Sequence, residues 1–198
     1  LQYILRNFIC LNKAKEQKVL SIFLFGASGI GKTEVARLMA NGLQSDCYLA
    51  KINFQNYSSQ DALNSLIGSP AGYVGCNYGE LSEKVKKSKV GILLCDEFEK
   101  TTRPVYSFFL ELLEEGHFTD SMAREYDMDG YVIIFTSNLL SEAEYKKEIP
   151  PELQTRFDLV CEFEKPEMSE KIAFLELLLE KARNKLSLIH ISEPTRRS

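Results

Sequence analysis

The segment Gly26-Ala27-Ser28-Gly29-Ile30-Gly31-Lys32-Thr33 constrains this chain more than any other. It has the form G-x-x-x-x-G-K-[ST], a phosphate-binding loop. Its glycines let backbone N–H groups turn inward as an anion nest, and the helix that follows aims its positive end at the same point. Lys32 can then reach the terminal phosphates of a triphosphate, and the Thr33 hydroxyl can ligate Mg2+. The flanks fit. Ile22-Phe23-Leu24-Phe25 is a short apolar run suited to a buried strand, and Glu34 to Leu43 places Val35, Leu38, Met39 and Leu43 on one helical face. Strand, loop and helix in this order point to an α/β fold with a parallel sheet and to nucleotide binding.

The remaining composition narrows the class. A chain of 198 residues is long enough for one α/β domain with a real core. With 44% hydrophobic and 26% charged residues it reads as an ordinary globular protein. The net charge of −4 gives no global sign of a nucleic-acid partner. No apolar run approaches the roughly 20 residues that a membrane span needs. Cys10, Cys47, Cys76, Cys95 and Cys161 form no C-x-x-C pair and lie far from any metal-like spacing with the two histidines. They read as reduced thiols in a cytoplasmic protein, two of them inside apolar strands. The first residue is Leu and no signal-peptide pattern follows, so the native start is expected upstream.

Along the chain, residues 1–18 read as a helix and loop leading into the core. Tyr48–Phe54 reads as a second strand, and a helix near Asp61–Leu66 has Ser59 or Asp61 available as caps. Ile67 to Glu80 holds four glycines and a proline, too many breakers for a regular element. Tyr73 and Val74 sit there between Gly72 and Gly75, either as a surface loop packed locally or as a loop presenting an aromatic to a partner. A basic helix follows over Leu81–Lys89. The hydrophobic strand Val90–Cys95 then ends in Asp96 and Glu97, and ligands of a parallel sheet sit outside such strand ends. Asp96 can hold Mg2+ through its water shell, and Glu97 can accept a proton from an attacking water or orient it.

Thr101 or Thr102 is expected to cap a helix that carries Pro104 in its first turn and closes at Gly116, its apolar face (Val105, Phe108, Phe109, Leu112, Leu113) turned to the core. Phe118 to Asp129 reads as a loop or hairpin. Tyr131–Phe135 is another buried strand, running into Asn138. That amide either positions a water beside Asp96 or simply forms a turn. Ile149–Leu153 begins a short helix, Leu159–Phe163 is an apolar strand, and an amphipathic helix runs from Ser169 to about Lys185. Arg156 alone reads as a surface ion-pair residue.

Five stretches, GASGIGKTEVARLMA, LIGSPAGYVG, GILLCDEFEK, LLEEGHFTDSMAR with VIIFTSN, and PPELQTRFD, fall in the order of an AAA+ ATPase. Together they resemble the C-terminal ATPase module of the Clp ring unfoldases. The resemblance covers roughly residues 19 to 185, and Gly72-Tyr73-Val74-Gly75 is its most specific piece. It implies an αβα P-loop core over 19–165 and the first helix of a small helical lid over 166–185. It implies ATP and Mg2+ as ligands, with Gly26, Ala27, Ser28, Gly29, Ile30, Gly31, Lys32, Thr33 and Asp96 holding them. It further implies that Asn138 senses the γ-phosphate and that Arg156 is an arginine finger reaching the neighbouring subunit's nucleotide. Tyr73 would be the pore-loop aromatic that grips an unfolded or tagged polypeptide. A homohexamer, a protease ring as a further partner, and no nucleic acid or membrane complete the expectation. Two departures stand out. Cys76-Asn77-Tyr78-Gly79-Glu80 stands where the family usually has more acidic and glycine residues after the pore loop, and Tyr78 there is either a second contact or none. Arg103-Pro104 stands where the family has His-Pro. Residues 186–198 resemble a translated sequencing adapter and are expected to lie outside the native fold.

Overall fold

The computed structural model describes residues 10–11, 14, 17–43, 49–59, 61–69, 78–88, 91–165 and 167. The chain divides into two compact units, Leu1–Phe163 and Glu164–Ser198, and every element below belongs to the first. The helix expected over residues 1–18 lies largely outside the described residues, as do Gly72–Gly75, the expected lid helix and the tail.

Five strands form one parallel sheet: β1 (Leu20–Gly26), β2 (Ala50–Asn53), β3 (Ile92–Asp96), β6 (Val132–Ser137) and β7 (Leu159–Phe163), in the spatial order β2-β3-β6-β1-β7. A strand covered on both faces needs apolar residues at every position, and β1, buried throughout, is such a strand. Its Phe23 and Phe25 enter one apolar cluster while Leu20, Ile22 and Leu24 enter the other. Helix α1 (Lys32–Leu43) covers the second cluster. Helices α2 (Ala62–Ile67), α3 (Glu80–Lys87) and α4 (Arg103–Glu115) cover the first. After α4 come the antiparallel hairpin β4 (His117–Thr119) and β5 (Glu125–Asp127), then the short helices α5 (Glu142–Glu148) and α6 (Pro151–Gln154). Among the described residues no helix is long and apolar enough to cross a membrane.

Several expectations change. The apolar stripe of α1 is buried only in part: Val35 and Met39 pack half-buried against the second cluster, Leu38 is 58% exposed, and Ala36 and Ala40 make the fully buried contacts with the sheet. Small side chains let the helix axis come close to the strands, which leaves the larger ones at the rim. The second strand is shorter than expected, because at Phe54 the chain turns into a 3₁₀ segment capped by the Asn53 side chain. Asp61 and Thr102 stand at the starts of α2 and α4, but neither side chain makes a cap hydrogen bond. Strand β7 is an edge and only half-buried, with Val160 exposed. The helix ending at Gly116 does close as expected, with φ +70 and the Gly116 N–H bonded to Leu112 O.

An aromatic cluster fills the larger core. Phe98, in a 3₁₀ turn directly after β3, packs against Phe54, Tyr106, Phe109 and Phe135 with ring centroids 4.6–5.3 Å apart. Sheet register sets the rest: Phe25 lies opposite Ser137, and Cys95 opposite Phe135. The ends of β1, β6 and β3 therefore come out on the same edge.

Candidate functional site

That edge gathers the phosphate loop, the carboxylates and Asn138. A cavity of about 310 Å³ is lined by Ser28, Gly29, Gly31, Lys32, Thr33, Glu34, Asp96, Glu97 and Asn138. Gly29 and Gly31 have φ of +79 and +104, a region closed to most side chains, and no atom lies within 4 Å of where a Cβ would project from either. Their backbone is therefore free to face a bound group. Gly26 is required for a different reason: at φ +142, a Cβ there would stand 2.2 Å from the Phe163 carbonyl oxygen of β7.

Lys32 is 6% exposed. Its ammonium donates to the Gly26 and Ala27 carbonyls, each at 2.7 Å, and to Asn138 Oδ1 at 3.3 Å. The side chain thus folds back on its own loop, so reaching a phosphate requires it to exchange these carbonyls for phosphate oxygens. Burial lowers the Lys32 pKa from 10.5, opposed by the charges of Glu99, Asp96 and Glu97.

Asp96 closes the other side. It accepts hydrogen bonds from the Thr33 hydroxyl (3.3 Å) and the Thr136 hydroxyl, and Lys51 Nζ lies 2.5 Å from its second oxygen. Burial alone would raise its pKa, but the Lys51 and Thr136 hydrogen bonds, the Lys51 charge and the Thr33 bond outweigh it and hold it below the ordinary value. Asp96 is therefore ionised at neutral pH, and Thr33 with Asp96 forms an oxygen-only pair of the kind a hard divalent cation accepts. Among the described residues no group of three or more His, Cys, Asp or Glu side chains could cage a metal by itself. One carboxylate and one hydroxyl suit Mg2+, which usually completes its shell with water and substrate phosphates.

Glu97 adopts the left-handed conformation at φ +57, which is uncommon for a side-chain-bearing residue. One of its oxygens accepts from Asn138 Nδ2 at 3.2 Å, and the other meets Lys100 Nζ at 2.8 Å. Asn138 thus spans Lys32 and Glu97.

Arg156 stands apart from this group. Its carbonyl accepts from Ser21 Oγ at 2.7 Å, near the start of β1, five strand residues and so roughly 16 Å from the loop at the strand's end. Its guanidinium, half exposed, pairs with Glu114 of α4. Tyr73 lies outside the described residues. Tyr78 does not, and its ring is flanked by Arg124 at 4.7 Å and Lys86 at 5.7 Å. Buried Cys95 has its thiol pKa pushed up by burial, in keeping with a structural thiol.

Sequence reasoning missed Lys51, Glu99, Lys100 and Thr136. Their signal was position alone: Thr136 lies near the end of β6 and Glu99 and Lys100 in the turn after β3, on the edge where ligands of parallel sheets bind, while Lys51 reaches Asp96 from the neighbouring strand β2.

Comparison with known proteins decides the family. The sequence profile described as AAA domain (Cdc48 subfamily) matches residues 17–170. The chain belongs to this AAA domain family. It is similar to the chaperone protein ClpB of Staphylococcus epidermidis, 36% identical over 132 residues, covering 66% of this chain and 15% of that protein. It is also similar to the ATP-dependent Clp protease ATP-binding subunit ClpE of Bacillus subtilis, 32% identical over 190 residues, 84% of this chain and 27% of that one. The chain thus spans about a quarter or less of the length of such relatives. In fold it is similar to a closed-state structure of Hsp104 with ATPγS and FITC casein, with a TM-score of 0.67 and 23% identity over 81% of this chain and 32% of that one. The AAA fold class read from the sequence is borne out, and the family is that of ATP-hydrolysing AAA+ modules.

Proposed function

We propose that the chain is the ATP-binding and ATP-hydrolysing module of a ring-forming, Clp-type protein unfoldase or disaggregase that threads polypeptide through a central pore. The observation that carries this reading is the convergence of Lys32, Thr33, Asp96, Glu97 and Asn138 on one cavity at the end of the sheet.

In this reading the backbone from Gly26 to Thr33 cradles the phosphates of ATP. Lys32 leaves the Gly26 and Ala27 carbonyls for phosphate oxygens. Thr33 and Asp96 would hold Mg2+. When bound, the metal neutralises charge that builds on the phosphate oxygens. Glu97 takes the proton of the water that attacks the γ-phosphorus as the bond to ADP breaks. Asn138 senses the γ-phosphate through its contacts to Lys32 and Glu97.

Arg156 acts in trans. Its anchor near the start of β1 sets it apart from its own loop, which favours its serving the nucleotide of a neighbouring protomer. Turnover would then require assembly, because the transition-state charge lacks its countercharge in an isolated chain. Tyr73, within Gly72–Gly75, grips an unfolded or tagged polypeptide, and a homohexamer supplies the ring. The similarity to ClpB and ClpE supports these assignments.

The test is ATP turnover at concentrations where rings form, with and without an unfolded polypeptide. Polypeptide should stimulate turnover, Glu97→Gln should abolish it, and Tyr73→Ala should remove only the polypeptide response. Stimulation by single-stranded nucleic acid instead would replace the polypeptide reading. ATP binding by an assembled ring without turnover would make the module a nucleotide-gated scaffold.

A further inference from the structure

Asn138 follows the last residue of β6, so its N–H lies beyond the strand that would otherwise supply a ladder partner. The acceptor comes from elsewhere: Glu99 Oε1, in the 3₁₀ turn after β3, takes this N–H at 3.2 Å. The orientation of the Asn138 side chain then follows from chemistry. Lys32 only donates, so Oδ1 faces it, and Glu97 Oε1 accepts on the other side, so Nδ2 faces that way. A carboxamide that must satisfy both neighbours tolerates little displacement of its main chain.

The second oxygen of Glu99 is notable. Oε2 is buried and has no hydrogen-bond partner among the described residues. Leaving a carboxylate oxygen in that state is costly, and such an arrangement in a folded protein calls for a reason. Phe98, fully buried among four rings, drives its neighbours Glu97 and Glu99 into place on either side of it.

We propose that Glu99 is a positioning residue: its carboxylate fixes the Asn138 main chain and so holds the Asn138 carboxamide between Lys32 and Glu97. This rests on the reading of Asn138 as the group that senses the γ-phosphate. Glu99 itself touches no substrate. It makes the strand end rigid, so that Asn138 answers a phosphate rather than drifting with the loop.

The experiment compares Glu99→Ala, Glu99→Gln and Asn138→Ala in the whole chain. The first readout needs no nucleotide: hydrogen exchange of the Asn138 backbone amide and the NMR shifts of its side-chain amide. Glu99→Ala should speed the exchange about tenfold or more and move the side-chain signals. Glu99→Gln, which keeps a carbonyl oxygen for the N–H, should restore both. The second readout is the affinity ratio between ATPγS and ADP in the presence of Mg2+. Asn138→Ala and Glu99→Ala should both lower it, by about tenfold, and Glu99→Gln should keep it.

Unmoved Asn138 signals in Glu99→Ala overturn the proposal whatever the nucleotide does. A ratio lost in Asn138→Ala but kept in Glu99→Ala also overturns it, and leaves the reading of Asn138 standing. A ratio kept even in Asn138→Ala overturns that reading and the role of Glu99 with it. If Glu99→Gln behaves as Glu99→Ala, the carboxylate acts by its charge on Lys32, and positioning is refuted.

Discussion

Replacing Phe98 by Ala tests whether the aromatic core is what anchors the strand-end acids. Phe98 is fully buried, and its ring meets Phe54, Tyr106, Phe109 and Phe135. Losing that burial costs about 2–3 kcal/mol. The cavity walls belong to three separate elements: the 3₁₀ segment after β2, helix α4 and strand β6. Walls held from three directions collapse little, so the cavity brings the total to about 4–5 kcal/mol. A domain is stable by about 5–15 kcal/mol, so the Ala variant should be marginal. Phe98→Leu retains most of the volume and should cost about 1.5 kcal/mol. The chain has no tryptophan, so urea unfolding is best followed by circular dichroism. Both variants should shift the midpoint while leaving the slope with urea unchanged. A loss below about 1 kcal/mol for Phe98→Ala at unchanged slope would refute the packing argument.

Other outcomes follow from single sites. Gly26→Ala should destabilise the chain by more than about 2 kcal/mol in the same urea titration, since both the positive φ and the Phe163 backbone oppose a Cβ; a neutral result would mean β1 and β7 are not held this close. Lys32→Ala should weaken ATP binding by about 100-fold, read by calorimetry, because a charge-assisted phosphate contact is lost. Asp120, 4% exposed, accepts from the Met122 and Arg124 N–H groups, Arg124 Nε and the Tyr126 hydroxyl. Burial would raise its pKa, but these bonds outweigh it and hold it below the ordinary 3.8. A carboxylate lowered in the fold gives stability that is complete above its unfolded pKa and disappears as pH falls through the folded one. Asp120→Asn should therefore flatten the acid limb of the stability profile below about pH 4, and an unchanged limb would deny the Asp120 network that role.

Much of this was legible in the residues because two of its devices are local. The loop from Gly26 to Thr33 needs glycines at fixed steps, and β3 and β6, covered on both faces, need unbroken apolar runs. Parallel register then brings Asp96 and Asn138 to the loop without further information. What the sequence hid depends on distance through space. Helix α1 carries a visible stripe, of which Val35 and Met39 do pack on the sheet, but the pattern gave no sign that Leu38 would be exposed and that Ala36 and Ala40 would be the fully buried contacts. The inward fold of Lys32 depends on carbonyls of its own loop, which no pattern reports. Glu99 looks like one more acid in Asp-Glu-Phe-Glu-Lys until the turn places it beneath Asn138. Arg156 reads as a surface ion-pair residue from its neighbours alone, and the structure gives it such a partner in Glu114.

The most direct measurement of the central claim is an equilibrium titration of the Glu97→Gln chain with ATP, with and without Mg2+. In the proposed reading Glu97→Gln would prevent turnover while leaving Lys32, Thr33 and Asp96 in place. The expected result is one saturable site per chain that needs Mg2+ for full affinity and is lost on adding Lys32→Ala. An absence of saturable binding, or binding indifferent to both Mg2+ and Lys32, would contradict the assignment of this strand-end cavity as the nucleotide site.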